Sequence, residues 1–263
     1  MIHFLESGKP ELTELFFQAA ELEPISGARL QMLFNMFKLS YRDVCFWVQV
    51  NGLGQPVAAI SRYGGQLSVC DSLQADAYEL EEFVRFTGDG SAISCSPSLA
   101  AQLSDIGRTT FVYGMAYRDS ALLEDDFSAI DESPSVPALY DLMCEVDADF
   151  EASTNRGAWY THTSHLVRHK LGFCAGIWED DELISCGGVY ASGKTHSVIG
   201  GLCTLPEHRG QGHAGLICRN LMNRILKTKK IPAIYAASES LSVYYGSMGF
   251  KERGRWAEIQ VRP

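Results

Sequence analysis

Between Ser197 and Lys230 the chain reads SVIGGLCTLPEHRGQGHAGLICRNLMNRILKTKK, a strand, a glycine-bearing loop and an amphipathic helix in immediate succession. The strand, Ser197 to Leu205, is apolar apart from Gly200 and Gly201, and paired glycines inside a strand predict a bulge or a close backbone approach. Pro206 stops the strand. Leu216, Ile217, Leu221 and Ile225 then form the apolar stripe of a helix that closes on Lys227, Lys229 and Lys230, where the helix dipole favours cations. Its other end aims unpaired N–H groups and partial positive charge at the loop Arg209, Gly210, Gln211, Gly212, His213, Ala214. Glycine in such a loop lets an anion reach the main chain where a side chain would stand in the way. The stretch predicts an anion cradle.

A second pattern follows in order. Pro232 to Ala237 reads as a short apolar strand, Ser238 and Glu239 open a helix, and Val243 to Phe250 reads VYYGSMGF. The run R-x-x-G-x-A from Arg209 to Ala214, followed by Tyr245 four residues before Gly249 and Phe250, resembles the GNAT superfamily of N-acetyltransferases. In that family the pyrophosphate loop reads Q or R, x, x, G, x, then G or A.

The resemblance implies acetyl-CoA as cosubstrate, with Arg209, Gly210, Gln211, Gly212, His213 and Ala214 around its pyrophosphate. It also implies a gap between two parallel strands that splay apart near Thr204 and Ala237. Main-chain groups of Leu202, Cys203 and Thr204 would then meet the acetyl and pantetheine, and Ser238 would stand where the family usually has an asparagine. Tyr245 is the expected general acid: a phenol of reference pKa about 10 lies above a thiol of about 8.5, so protonating a departing thiolate is downhill. Several family members carry a glutamate base on the strand before the loop, but Ser197 to Leu205 holds no carboxylate, so the base is unassigned. The expected reaction is direct transfer of an acetyl group to a primary amine. The alternative is a non-catalytic acyl-CoA-binding or regulatory protein that kept the cradle and lost the base.

Length and charge set the frame for that reading. The chain has 263 residues, which suits two domains of about 130 each. With 46% hydrophobic and 21% charged residues it can bury a sizeable core. A formal charge of −10 argues against nucleic acid as a partner and favours a cationic acceptor, a small-molecule or peptide amine. The N-terminal MIHFLESGKP lacks a leader pattern and no apolar run approaches a membrane span, so the expected location is cytoplasmic with no membrane partner. Eight cysteines, widely spaced and without a C-x-x-C, read as reduced small hydrophobes rather than as a zinc site or a disulfide framework.

The same plan occurs twice. Helical patterns at 10–22 and 26–40 precede strands at 44–50, 57–63 and 66–72, a helix at 76–87, a strand at 91–96, a helix at 98–105 and a strand at 108–118. Helices at 136–147 and 156–170 precede strands at 173–179, 183–191 and 197–205, the cradle helix, a strand at 232–237, a helix at 239–248 and a closing strand at 250–262. The expected fold is α+β: two tandem GNAT-like domains, each a mostly antiparallel mixed sheet flanked by helices, with a splayed parallel pair in the second. The expected boundaries are 1–121, a linker at 122–135, and 136–263. After Asp71 the first copy has SLQADAYELEEF, acidic and free of glycine, so it is expected to be degenerate as a cofactor site.

His162, His165 and His169 share one face of the helix at 156–170, and with no acidic or thiol ligand at compatible spacing they read as a polar face or acceptor-site residues rather than a metal site. Trp159, Tyr160 and Trp178 are candidates for an acceptor wall or for packing.

Overall fold

The structure, a computed structural model, describes residues 1–39, 44–87 and 92–262. The expected helix end at Ser40 and strand start at Ser91 lie outside these residues. In chain order the elements are β1 (Ile2–Phe4), α1 (Pro10–Ala20), α2 (Pro24–Phe37), β2 (Val44–Val50), β3 (Pro56–Tyr63), β4 (Gln66–Asp71), α3 (Ala77–Thr87), β5 (Ala92–Cys95), α4 (Pro97–Gln102) and β6 (Gly107–Tyr117). There follow α5 (Val136–Val146), α6 (Ala148–Ser153), α7 (Arg156–Arg168), β7 (Phe173–Glu179), β8 (Glu182–Ser192), β9 (His196–Thr204), a short 3-10 turn (Pro206–His208), α8 (His213–Lys227), β10 (Ile231–Ala236), α9 (Glu239–Ser247) and β11 (Phe250–Val261).

These elements form two compact units, and the units are not sequential halves. The first holds residues 1–117, 193–195 and 235–263; the second holds 118–192 and 196–234. The expected boundary at 136–263 is thereby redrawn. Residues of β11 pair with β5 on one side and run antiparallel to β6 on the other, from Phe250↔Tyr117 to Val261↔Gly107, so the C-terminal strand completes the sheet of the first unit. Long-range pairing of this kind leaves no mark in local sequence.

Within the first unit the strand order is β1-β2-β3-β4-β5-β11-β6. Alternate residues feed two cores. Phe46, Val48, Ala59 and Cys70 pack with Phe16, Ala19, Ala20, Leu30 and Leu33 of α1 and α2, while Ala58, Ile60 and Val69 pack with Leu80, Val84 and Leu99 of α3 and α4. That alternation is the period of two that a pleated strand imposes. Gly249, at φ +93, turns the chain from α9 into β11; a Cβ there would lie 2.7 Å from the Tyr117 ring. Phe250 then buries its side chain against Tyr117 and Tyr245, with ring centroids 5.9 and 6.2 Å apart. The Gly–Phe pair of the sequence pattern thus has a packing role of its own.

Within the second unit the order is β10-β9-β8-β7. Ile217, Cys218, Leu221, Met222 and Ile225 of α8 are buried, and α8 packs on β7, β8 and β9. A Cβ on Gly187 would meet Leu202 and Ile217, whereas one on Gly188 would meet Tyr190 and Cys174, so neighbouring residues of β8 face opposite sides. Met143 of α5 lies against Gly201 on the Tyr190 side, which puts α5 and α8 on opposite faces.

Residues 122–135, expected to be a linker, are instead tied into the second unit. Asn223 Oδ1 accepts from the Leu123 N–H at 2.8 Å, and its Nδ2 donates to the Leu123 carbonyl at 2.9 Å. Asp131 exchanges main-chain hydrogen bonds with Gly176, and its carboxylate accepts from the Trp178 indole at 2.9 Å. Arg219 pairs with Asp125 at 2.9 Å. The acidic, proline-bearing composition of a linker is equally that of an extended strap whose polar groups find partners on a helix.

Asn223→Ala leaves both main-chain groups of Leu123 without their partner and should cost about 1–3 kcal/mol in urea unfolding. Arg219→Ala, which removes a partly exposed ion pair, should cost under about 1 kcal/mol. Equal losses for the two would show that the strap is not held through Asn223.

Candidate functional site

The second unit contains the predicted cradle. β10 and β9 run parallel in register from Ile231↔His196 to Ile234↔Ile199, and the ladder ends there although β9 continues to Thr204. The splay is expected near Thr204 and Ala237; the ladder stops five residues before the first and three before the second. Beyond it, Gly200 to Cys203 are half-buried, in contrast to Ser197, Val198 and Ile199. Here the register with β8 slips: Cys186 faces Cys203, but Gly188 faces Gly200, so two residues of β8 span three of β9. Gly201, at φ +59, and Leu202 are the residues left out of register, which realises the bulge expected from the glycine pair.

Thr204 is buried, its Oγ1 lying 2.8 Å from Ser185 Oγ, and its carbonyl accepts from Arg209 Nε at 3.1 Å. That bond fixes the exposed Arg209 at the mouth of the loop. His208 is engaged elsewhere, with Nδ1 3.1 Å from the Glu179 carboxylate. Gly210 and Gly212 are left-handed, at φ +78 and +87, and a Cβ on either would meet nothing within 4 Å. Backbone shape, not crowding, is therefore what demands glycine at these two positions.

α8 begins at once after Gly212, and no side chain caps it. In the same unit α5, α6 and α7 are capped by Ser135, Asp147 and Asn155. At the start of α8 the first-turn N–H groups face an open, glycine-lined loop, and His213 Nε2 is buried without a hydrogen-bond partner. Uncapped helix N–H groups are an anion-binding feature, and a diphosphate fits the donors on hand.

Next to the bulge lies a face rich in thiols and aromatics. Cys186 and Cys203 place their sulfurs 3.5 Å apart, and the Gly201 carbonyl lies 3.7 Å from Cys186 Sγ as an alternative acceptor for the one Cys186 thiol proton. The thiol hydrogen bond from Cys186 holds Cys203 below its ordinary value, helped by Arg209 and opposed by burial and by Asp147. The same hydrogen bond, together with burial, pushes Cys186 well up. Tyr190, also pushed well up by burial, lies beside Gly201, and its ring is 6.4 Å from Trp159. Trp159 continues into Tyr140, Phe150 and Tyr160, and the Arg156 guanidinium sits over Tyr140 and Tyr160 at 5.4 and 5.3 Å. Trp159 and Tyr160 therefore share one cluster; Trp178 stands apart, held by Asp131.

Asp147 was not singled out by sequence reasoning. It closes α5 one turn after Met143, its N–H bonded to the Met143 carbonyl, and its charge reaches Cys203. Its Oδ1 caps α6 by accepting from Asp149 and Phe150 N–H. Asp147 is exposed, and a capping aspartate between two helices carries no sequence signal of chemistry.

Ser238 and Tyr245 belong to the first unit. Ser238 caps α9, its Oγ accepting from the Leu241 N–H at 3.3 Å, and Tyr245 is buried on that helix beside Tyr244 and Phe250. His165 and His169 stack at 4.2 Å on α7. Among the described residues no three His, Cys, Asp or Glu side chains converge as a metal would need, and no helix is long and apolar enough to cross a membrane.

Residues 137–250, a little under half of the chain, match the model of the acetyltransferase (GNAT) family. Acetyltransferases of that family use acetyl-CoA as cosubstrate. The fold is GNAT-like over the whole length. The chain is similar to a Drosophila protein of solved structure (TM-score 0.67, 15% identity, 98% of each chain covered). It is also similar to a GCN5-related N-acetyltransferase from Sphaerobacter thermophilus (TM-score 0.63, 14% identity, 100% of this chain and 96% of that one). A third similar structure is a tandem GNAT protein from the clavulanic acid biosynthesis pathway (TM-score 0.57, 14% identity, 100% of this chain and 99% of that one). No curated protein matches the sequence.

Gly212→Ala puts a Cβ into open space but into a left-handed backbone, and should cost about 1–2 kcal/mol of stability in urea unfolding. Gly200→Ala, where φ is not positive and the new Cβ makes an ordinary 3.7 Å contact with Tyr190, should cost less. The reverse order would mean that the loop is not held in the left-handed form.

Proposed function

We propose that this protein is an acetyl-CoA-dependent N-acetyltransferase that moves acetyl directly to a primary amine. The observation that carries the reading is the uncapped start of α8 behind two left-handed glycines, directly downstream of the strand whose parallel ladder has ended. Arg209 to Ala214 would hold the diphosphate. Leu202, Cys203 and Thr204 would present main-chain groups to the pantetheine and thioester, where a bulged strand offers donors that the ladder does not use.

Asp147 is the residue we assign to the amine: its carboxylate attracts an ammonium and receives the proton that must leave before attack. Tyr245 is the proposed general acid for the thiolate, and Ser238 an added cofactor contact. The first copy is the proposed degenerate one. Its β4 and β5 also run parallel and stop early, at Ser68↔Ser94, but α3 is preceded by Asp76, whose carboxylate itself accepts the Glu79 N–H. A carboxylate at that position takes the place an anionic ligand would need.

The acceptor is proposed to be cationic, since the chain carries −10 and Asp147 and the rings of Tyr140, Trp159 and Tyr160 suit an ammonium group. The test is thiol release from acetyl-CoA over polyamines, aminoglycosides, amino acids and peptide amines, with affinity measured by calorimetry. Affinity without turnover on any amine would leave the acyl-CoA-binding alternative in place of the enzyme.

Asp147→Asn keeps the cap on α6 through the amide oxygen, so it should lower kcat/KM for the amine by about 100-fold while acetyl-CoA affinity stays within about two-fold. Tyr245→Phe should lower kcat by about 10-fold or more, and unchanged turnover would remove Tyr245 as the acid.

A further inference from the structure

Cys186 and Cys203 are cross-strand partners on β8 and β9 with their sulfurs 3.5 Å apart, on the face that carries Gly201, Tyr190 and Met143. Directly opposed residues of an antiparallel pair have Cα atoms about 4.5–5.5 Å apart, inside the range of about 4.4–6.8 Å that a disulfide bridges. Their Cβ atoms, about 4.5–5.5 Å apart in such pairs, stand at or beyond the upper end of disulfide geometry, which makes a bond formed there strained and readily reduced.

The two thiols are also differentiated. Cys203 is half-buried, and Cys186 is buried behind it. The hydrogen bond from Cys186 and the charge of Arg209 favour the Cys203 thiolate, whereas burial pushes the solitary thiols of Cys70, Cys95 and Cys218 up to about 12. An accessible sulfur with thiolate character next to a second thiol is the arrangement of an attacking and a resolving cysteine.

We propose that Cys203 and Cys186 form a peroxide-sensitive pair that closes into a disulfide across β8 and β9. The Cys203 thiolate attacks one oxygen of hydrogen peroxide; the O–O bond breaks, leaving a sulfenic acid and hydroxide. The Cys186 sulfur then attacks the Cys203 sulfur, the S–O bond breaks, and water departs with the thiol proton. The two sulfurs have together given two electrons to the peroxide. The pair itself does not depend on the acyl-CoA reading. Its consequence rests on the acyl-CoA reading above: drawing the sulfurs together shifts the bulged stretch Gly201 to Cys203, so acetyl-CoA affinity falls when the bond is closed.

The test is peptide mapping of the full chain after treatment with hydrogen peroxide and alkylation. We expect a disulfide-linked peptide pair containing Cys186 and Cys203, abolished by dithiothreitol and retained in Cys174→Ser. In Cys186→Ser, dimedone should label Cys203 instead. Cys203 remaining alkylatable under peroxide, or a Cys174–Cys186 linkage in place of the expected one, would overturn the proposal; both readouts use protein that need carry no variant. Calorimetry on the oxidised and re-reduced chain should show a reversible loss of at least about ten-fold in acetyl-CoA affinity. A mapped disulfide with equal affinity in both states would remove the regulatory consequence and keep the pair, and a chain that binds no acetyl-CoA when reduced would sink the acyl-transfer reading instead.

Discussion

A main chain that stops pairing must place its N–H and C=O groups somewhere, and the second unit is arranged around one such place. The β9–β10 ladder ends at Ile199↔Ile234, β9 bulges at Gly201 and Leu202, and from Gly210 the chain turns through left-handed glycines into an uncapped helix. Every step leaves backbone donors turned away from regular structure. The sheet gives rigidity to one side of this break, through the β8–β9 pairing, and α8 gives it to the other through five buried apolar side chains. Donors held on two rigid elements need no rearrangement when an anion or a developing oxyanion meets them.

The same break explains why the chemistry-bearing side chains lie to one side. Opposite faces of β8 are committed differently: Gly187 is pressed by Leu202 and Ile217 under α8, while Gly188, Tyr190 and Cys174 share the face toward α5. Because α8 seals one face with apolar residues, polar groups collect on the other. There the sulfurs of Cys186 and Cys203 meet at 3.5 Å. The thiol pair brings together residues 17 positions apart in sequence.

The strap at 122–135 and the strand β11 show how far polar satisfaction and pairing reach along the chain. Asn223 clamps a residue 100 positions away through both main-chain groups, and β11 finishes a sheet whose first strand is at the N-terminus. Both choices follow from burial. A strand such as Phe250–Val261, which buries Phe250, Trp256, Ala257 and Ile259, needs neighbours for its peptide groups, and an extended segment needs partners for its own.

Local order was legible in the chain itself. The strand–loop–helix from Ser197 to Lys230 announced itself through Pro206, the loop glycines and a four-residue apolar stripe, because turn chemistry and periodicity are properties of neighbours. The bulge at Gly200–Gly201 and the order of the elements followed for the same reason. What the tertiary structure alone decided was company: that β11 joins residues 1–117, that residues 122–135 are bound rather than linking, and that Cys186 faces Cys203. Register and long-range pairing are set by which apolar faces and peptide groups meet after the chain closes on itself, and a linear pattern holds no record of that meeting.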